Sequence, residues 1–163
     1  MKALFSTLFR FSQKELVKGR STQPSFKRWQ LIRSFIGGLI AISCLGILSN
    51  LSTYPLLIAP FGASTVLLFG APNSPLAQPR NLIFGNLVGA ISAVLCVFLL
   101  GSSSLTSGLA VGLTIFLGQA LRCLHPPAGA VAFLGVLLKA SPIFYFYSCP
   151  LWFINIIRYC LRF

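Results

Sequence analysis

"CLHPPAGAVAFLG", residues Cys123–Gly135, sets two consecutive prolines and the sole histidine of the chain, His125, inside an otherwise apolar run. A proline in a helix interior removes a backbone hydrogen bond, and its ring collides with the carbonyl four residues earlier. The residue before a proline is biased away from helical geometry as well. The stretch therefore predicts a helix that stops short of His125 and another that opens at Pro127, where the missing N–H is no loss.

What surrounds that break is apolar enough to define the solvent. Of 163 residues, 56% are hydrophobic and 9% charged, outside the range of soluble globular domains. The chain reads as a polytopic all-α membrane protein: a hydrocarbon core of about 30 Å takes on the order of 20 helical residues per crossing, which leaves no length for a separate soluble domain. The lipid bilayer is its first partner.

Charge falls on one end. Eight of the 13 Lys and Arg residues (Lys2, Arg10, Lys14, Lys18, Arg20, Lys27, Arg28 and Arg33) precede or enter the first long apolar run, which predicts a cytoplasmic N-terminus. Residues 1–30 form a basic cytoplasmic tail. Its first twenty residues mix Leu and Phe with Lys and Arg, a pattern open to an interfacial helix or to a frayed tail. Trp29 has the character of an interfacial anchor. The tail also carries Glu15, the only acidic residue in the chain, so paired-carboxylate catalysis and carboxylate proton relays are excluded. The net charge of +12 comes without an aromatic-basic module, and no nucleic-acid partner is expected. The five cysteines lie in apolar segments as small hydrophobes; Cys123 and His125 lack further metal ligands. Neither metal, cofactor nor enzymatic activity is expected.

Gly, Pro, Ser and Asn divide residues 31–163, the single transmembrane domain, into apolar segments at about 31–50, 54–71, 81–101, 104–122, 125–139 and 142–160. The second and fifth are short and interrupted. Laid over one another with an offset of 67 residues, from Pro60 to Pro127, residues 57–75 and 124–142 agree at seven of nineteen positions, among them Gly62/Gly129 and Ala63/Ala130. That agreement points to an internal duplication with half-repeats of about 31–101 and 104–163, inverted because each holds an odd number of crossings. The expected fold is a helical bundle with two broken or re-entrant helices in an inverted repeat. Six crossings place Arg80, Arg122, Arg158 and Arg162 inside, and four move Arg80 outside.

Irregular backbone at membrane depth persists only where protein buries it or a wet cavity borders it. Pro60 and Pro127 suit first turns of half-helices at about 62–69 and 129–138, with amides of Gly62, Ala63, Ser64, Gly129 and Ala130 as hydrogen-bond donors to a ligand. Ser64 and Thr65 add hydroxyls, Arg80 a compensating charge, and Gln78 and Asn81, with Asn86 and Gln119, polar lining. His125 caps carbonyls, touches a ligand or exchanges a proton. Gly85-x-x-x-Gly89 and Gly108-x-x-x-Gly112 permit close helix approach, and a homo-oligomer is compatible with them.

"APFGAS" (59–64), "SPLAQPRN" (74–81), the glycine-rich helix after it and "HPPAGA" (125–130), in this order, resemble the HPP family of small integral membrane proteins. The similarity runs over about residues 28–142. After Pro142 the chain lacks the Asn-containing ending of that family. The resemblance implies four spans and transport of nitrite in a cyanobacterial inner membrane or a plastid envelope. It leads to an expected function as a carrier or channel for a small monovalent anion, nitrite first. The alternatives are a non-transporting structural or regulatory membrane subunit and a pore for small neutral solutes.

Overall fold

The computed structural model describes residues 25–50 and 58–139. Five helices form there: α1 (Arg28–Asn50), α2 (Ile58–Gly70), α3 (Pro79–Leu100), α4 (Ser104–Ala120) and α5 (Pro127–Leu137), with one 3-10 turn at Pro75–Ala77. Among the described residues there is no strand. The chain divides into compact units at Met1–Ile32 and Arg33–Phe163. In the first, the described residues open α1, where the Lys27 N–H donates to Gln30 Oε1 at 2.8 Å. The predicted interfacial helix of the tail and the predicted span at 142–160 lie outside the described residues.

Local chemistry sets the helix ends in the second unit. Pro79 opens α3 with Gln78 as its extended N-cap. Gly101 closes it at φ 71°, a left-handed conformation that glycine adopts without a Cβ penalty. Ser103 then caps α4, its Oγ accepting from the Thr106 N–H at 3.1 Å. That helix stops at Ala120, two residues short of the apolar segment at 104–122, because Arg122 turns to φ 53° and His125-Pro126-Pro127 follows. Pro127 is the first residue of α5, as the opening stretch predicts.

At 1.5 Å per residue, α1 and α3 extend about 33–35 Å, enough for a hydrocarbon core of about 30 Å. Both are apolar enough to cross a membrane. Neither α2, at about 20 Å, nor α5, at about 16 Å, is long enough to cross by itself. The repeat offset of 67 residues also relates the ends of these two short helices, Gly70 and Leu137. Their beginnings do not, since Ile58 opens α2 and Pro127 opens α5, 69 residues apart.

Three packings position the site. The first is α1 against α2, antiparallel: Ser34 Oγ donates to Phe69 O at 2.7 Å, Gly37 lies under the Phe69 ring, and Gly38 faces Thr65. In the second, α3 runs antiparallel to α4 across the short Gly101–Ser103 link, and Arg80 at its start reaches Leu121 O at the far end of α4. Third, α3 runs parallel to α5: Gly85 abuts His125, Gly89 abuts Ala128, and Ser102 Oγ donates to Val136 O at 2.8 Å. Alanines dominate the second core cluster, Ala93, Cys96, Ala110, Ala132 and Val136, so backbones approach closely, as packing between helices in lipid requires. Large apolar side chains face outward instead, Phe98 and Leu105 each 84% exposed.

The two small-residue motifs divide in use. Gly85-x-x-x-Gly89 is spent on the α3–α5 contact. Gly108-x-x-x-Gly112 lies on an exposed face, with nothing among the described residues within 4 Å of a Cβ built at either glycine, so it does not tighten this bundle.

Candidate functional site

Ser64 stands in the middle of α2, fully buried, with its Oγ 2.9 Å from His125 Nε2 and 3.1 Å from Pro60 O. On the other side of the imidazole, Nδ1 lies 3.1 Å from Leu76 O. A carbonyl oxygen only accepts, so Nδ1 carries the hydrogen in that bond; in the neutral ring Nε2 is then the acceptor and the Ser64 hydroxyl donates to it.

Each partner is held in turn. Leu76 belongs to the 3-10 turn, whose N-cap Ser74 accepts from the Leu76 N–H at 3.3 Å. Asn81 Nδ2 donates to Pro75 O at 2.9 Å and pins that turn to the start of α3. Gly85 leaves the room that His125 fills: a Cβ there would lie 2.6 Å from His125 Cβ and 2.9 Å from Cys123 O. His125 is 2% exposed and joins α2, the turn, α3 and the head of α5 through one ring.

Beside the ring, a cavity of about 340 Å³ opens between α3, α4 and α5. Val111, Ile115, Leu124, Pro126 and Ala128 give it an apolar wall, Gly85, Gly118 and Gly129 widen it, and Thr114, Cys123 and His125 are its polar or titratable members. Thr114 Oγ1 already donates to Ala110 O at 2.7 Å. Among the described residues no charged side chain lines the cavity.

The structure gathers only part of the predicted set. Pro60, Ser64, His125 and Pro127 are buried together around the ring, and half-buried Gly129 borders the cavity. Asn81 is structural support. Thr65 is buried but turns its hydroxyl to Phe61 O at 2.8 Å, and with half-buried Gly62 it lines a separate groove between α1 and α2. Ala63, Ala130 and Gln78 are exposed.

Backbone donors do not form the expected cradle. Because α2 begins at Ile58, four residues before Gly62, the amides of Gly62, Ala63 and Ser64 follow the unpaired first turn and bond within the helix. The Gly129 N–H donates to Pro126 O at 3.1 Å, so the chain closes over the head of α5 by itself. Nor do two amino ends face each other: the head of α5 meets Ser64, about 9 Å along α2 from Ile58.

Arg80 is exposed and its Nη2 donates to Leu121 O at 3.3 Å, a cation at a helix C-terminus. It serves α4 rather than the ring. Arg80→Gln is therefore expected to lower stability by less than about 1 kcal/mol; thermal unfolding of the variant checks it. Asn86, expected as polar lining, is not among the residues that line the cavity. It follows Gly85, is 1% exposed, and its Oδ1 has no hydrogen-bond partner among the described residues.

A family model described as "HPP, transmembrane region" matches residues 23–159. The chain belongs to the HPP transmembrane family. Its family name falls on residues His125-Pro126-Pro127, the junction that carries the site. A transmembrane protein of Dictyostelium discoideum is 34% identical over 140 residues, covering 80% of this chain and 49% of that protein. A second from the same organism is 40% identical over 114 residues, covering 67% and 36%. This HPP chain thus spans about half the length, or less, of the curated relatives it matches. No solved structure matches it. Family membership and two helices long enough to cross make it a membrane protein.

Proposed function

We propose that this HPP protein transports a small monovalent anion, nitrite being the first candidate, through the cavity beside His125. The observation that carries the reading is the chemistry of that cavity. Among the described residues it is bordered by the sole histidine and by no carboxylate, and residues 16–163 contain no Asp or Glu at all. A cation there would find no counter-charge, whereas an anion can meet a protonated imidazole. The resemblance that implies nitrite supplies the choice among anions.

The matching ends of α2 and α5 support two half-repeats, which we read as inverted, each contributing one short helix to a shared centre. The basic residues before the first span support a cytoplasmic N-terminus. The matched relatives are from Dictyostelium discoideum, so a cyanobacterial or plastid membrane rests on the resemblance alone.

The test is sodium nitrite uptake into liposomes containing only the purified protein. Protein-dependent uptake several-fold above empty liposomes is expected. None, with folded protein confirmed, would replace the reading by a non-transporting membrane subunit.

A further inference from the structure

The Ser64 hydroxyl has one proton and two acceptors within reach, His125 Nε2 and Pro60 O. Pro60 O lies four residues before the Ser64 amide and so keeps a bond within α2 whichever way the hydroxyl turns. Beside a neutral ring the hydroxyl donates to Nε2. Beside a protonated ring, Nε2–H donates to Ser64 Oγ and the hydroxyl swings to Pro60 O. Nδ1–H stays on Leu76 O in both cases. His125 can therefore take or release a proton without stranding a buried donor or acceptor, which is the cost that usually forbids such a change.

A protonated ring still needs a counter-ion. Ser64 faces it from α2, Leu76 O from the 3-10 turn and Gly85 from α3, while Thr114 of α4 and the Cys123 thiol of its own segment share its cavity. None is anionic. The nearest charged residues in sequence, Arg122 and Lys139, are exposed cations, as is Arg80. An isolated charge, positive on the ring or negative in the cavity, is costly in such surroundings, and the two together neutralise each other.

We propose that His125 and the cavity load together, one proton on Nε2 and one monovalent anion beside it, so that transport is an electroneutral proton–anion symport with Ser64 as the swivel. This rests on the anion reading above and names its coupling ion. The proton remains on the ring and no bond to the anion forms.

Because His125 is the sole histidine, ¹⁵N-histidine labelling of the full chain in lipid nanodiscs reports on one ring. Spectra over a falling pH series, with and without sodium nitrite, should show an Nδ1–H tautomer that gives way to imidazolium at higher pH when nitrite is present. Nitrite should raise the imidazolium fraction at a given pH, and low pH should tighten nitrite binding by the same factor. In liposomes, one pH unit should drive protein-dependent nitrite accumulation approaching about tenfold, with no response to an imposed potassium potential. Ser64→Ala, which gives Nε2–H no acceptor, should lower the imidazolium fraction at each pH. Nitrite uptake that follows the membrane potential, or a ring indifferent to nitrite while uptake persists, overturns the symport and leaves the anion reading standing. Absence of both uptake and any nitrite effect on the ring removes the two together.

Discussion

Replacing Gly89 by valine is expected to leave little folded protein. A Cβ at this position would overlap Ala128 O, which is backbone and has no rotamer to change. The head of α5 cannot retreat either, since the two prolines and the His125 bonds hold it. Overpacking costs about 1–3 kcal/mol where side chains can yield. Against a carbonyl the upper end of that range, about 3 kcal/mol, is the least expected, a drop of more than about 100-fold in the folded-to-unfolded ratio. The matched control is Gly112→Val, at a position where nothing among the described residues lies within 4 Å of the new Cβ. Thermal unfolding of both variants in nanodiscs decides the matter. Equal stability would mean that the α3–α5 contact does not organise the bundle.

His125→Leu should have the largest effect on transport. The ring's two nitrogens hold Ser64 and Leu76 O, and no hydrocarbon side chain can hold either. Ser64 can still turn its hydroxyl to Pro60 O, but Leu76 O loses the His125 Nδ1–H, a cost of about 1–3 kcal/mol if the carbonyl is left bare. Nitrite uptake is expected to fall to the level of empty liposomes. His125→Gln separates packing from proton chemistry: the amide can offer one donor and one acceptor but cannot titrate near neutrality, so it should restore stability without restoring proton-driven uptake. Wild-type uptake by the leucine variant would exclude the ring from the transport path.

Much of this architecture can be read from residue type alone. The apolar composition specifies the bilayer, because nothing in the chain could keep so much hydrocarbon surface in water. The double proline specifies a break before His125 and the start at Pro127, since a missing N–H and a fixed φ act on the nearest residues whatever lies around them. The recurrence of Pro-x-Gly-Ala at a fixed offset marks the two short helices, and they end at equivalent positions. Where local signals compete, the reading shifts: α2 starts four residues before Gly62 because Pro60 is tolerated in its first turn, and the amides expected to face a ligand bond along the helix instead.

The sequence by itself determined the solvent, the helix breaks and the small-residue contacts available to each helix, all consequences of covalent geometry and composition within a few residues. Only the tertiary structure decided that His125 meets Ser64, 61 residues away, and Leu76 O, 49 residues away. It also decided that Arg80 serves a helix end instead of the ring, and that one glycine pair is consumed inside while the other faces out. Those outcomes depend on which helix faces are pressed together, and a side chain's role as latch, cap or lining is set by the partner that packing brings to it.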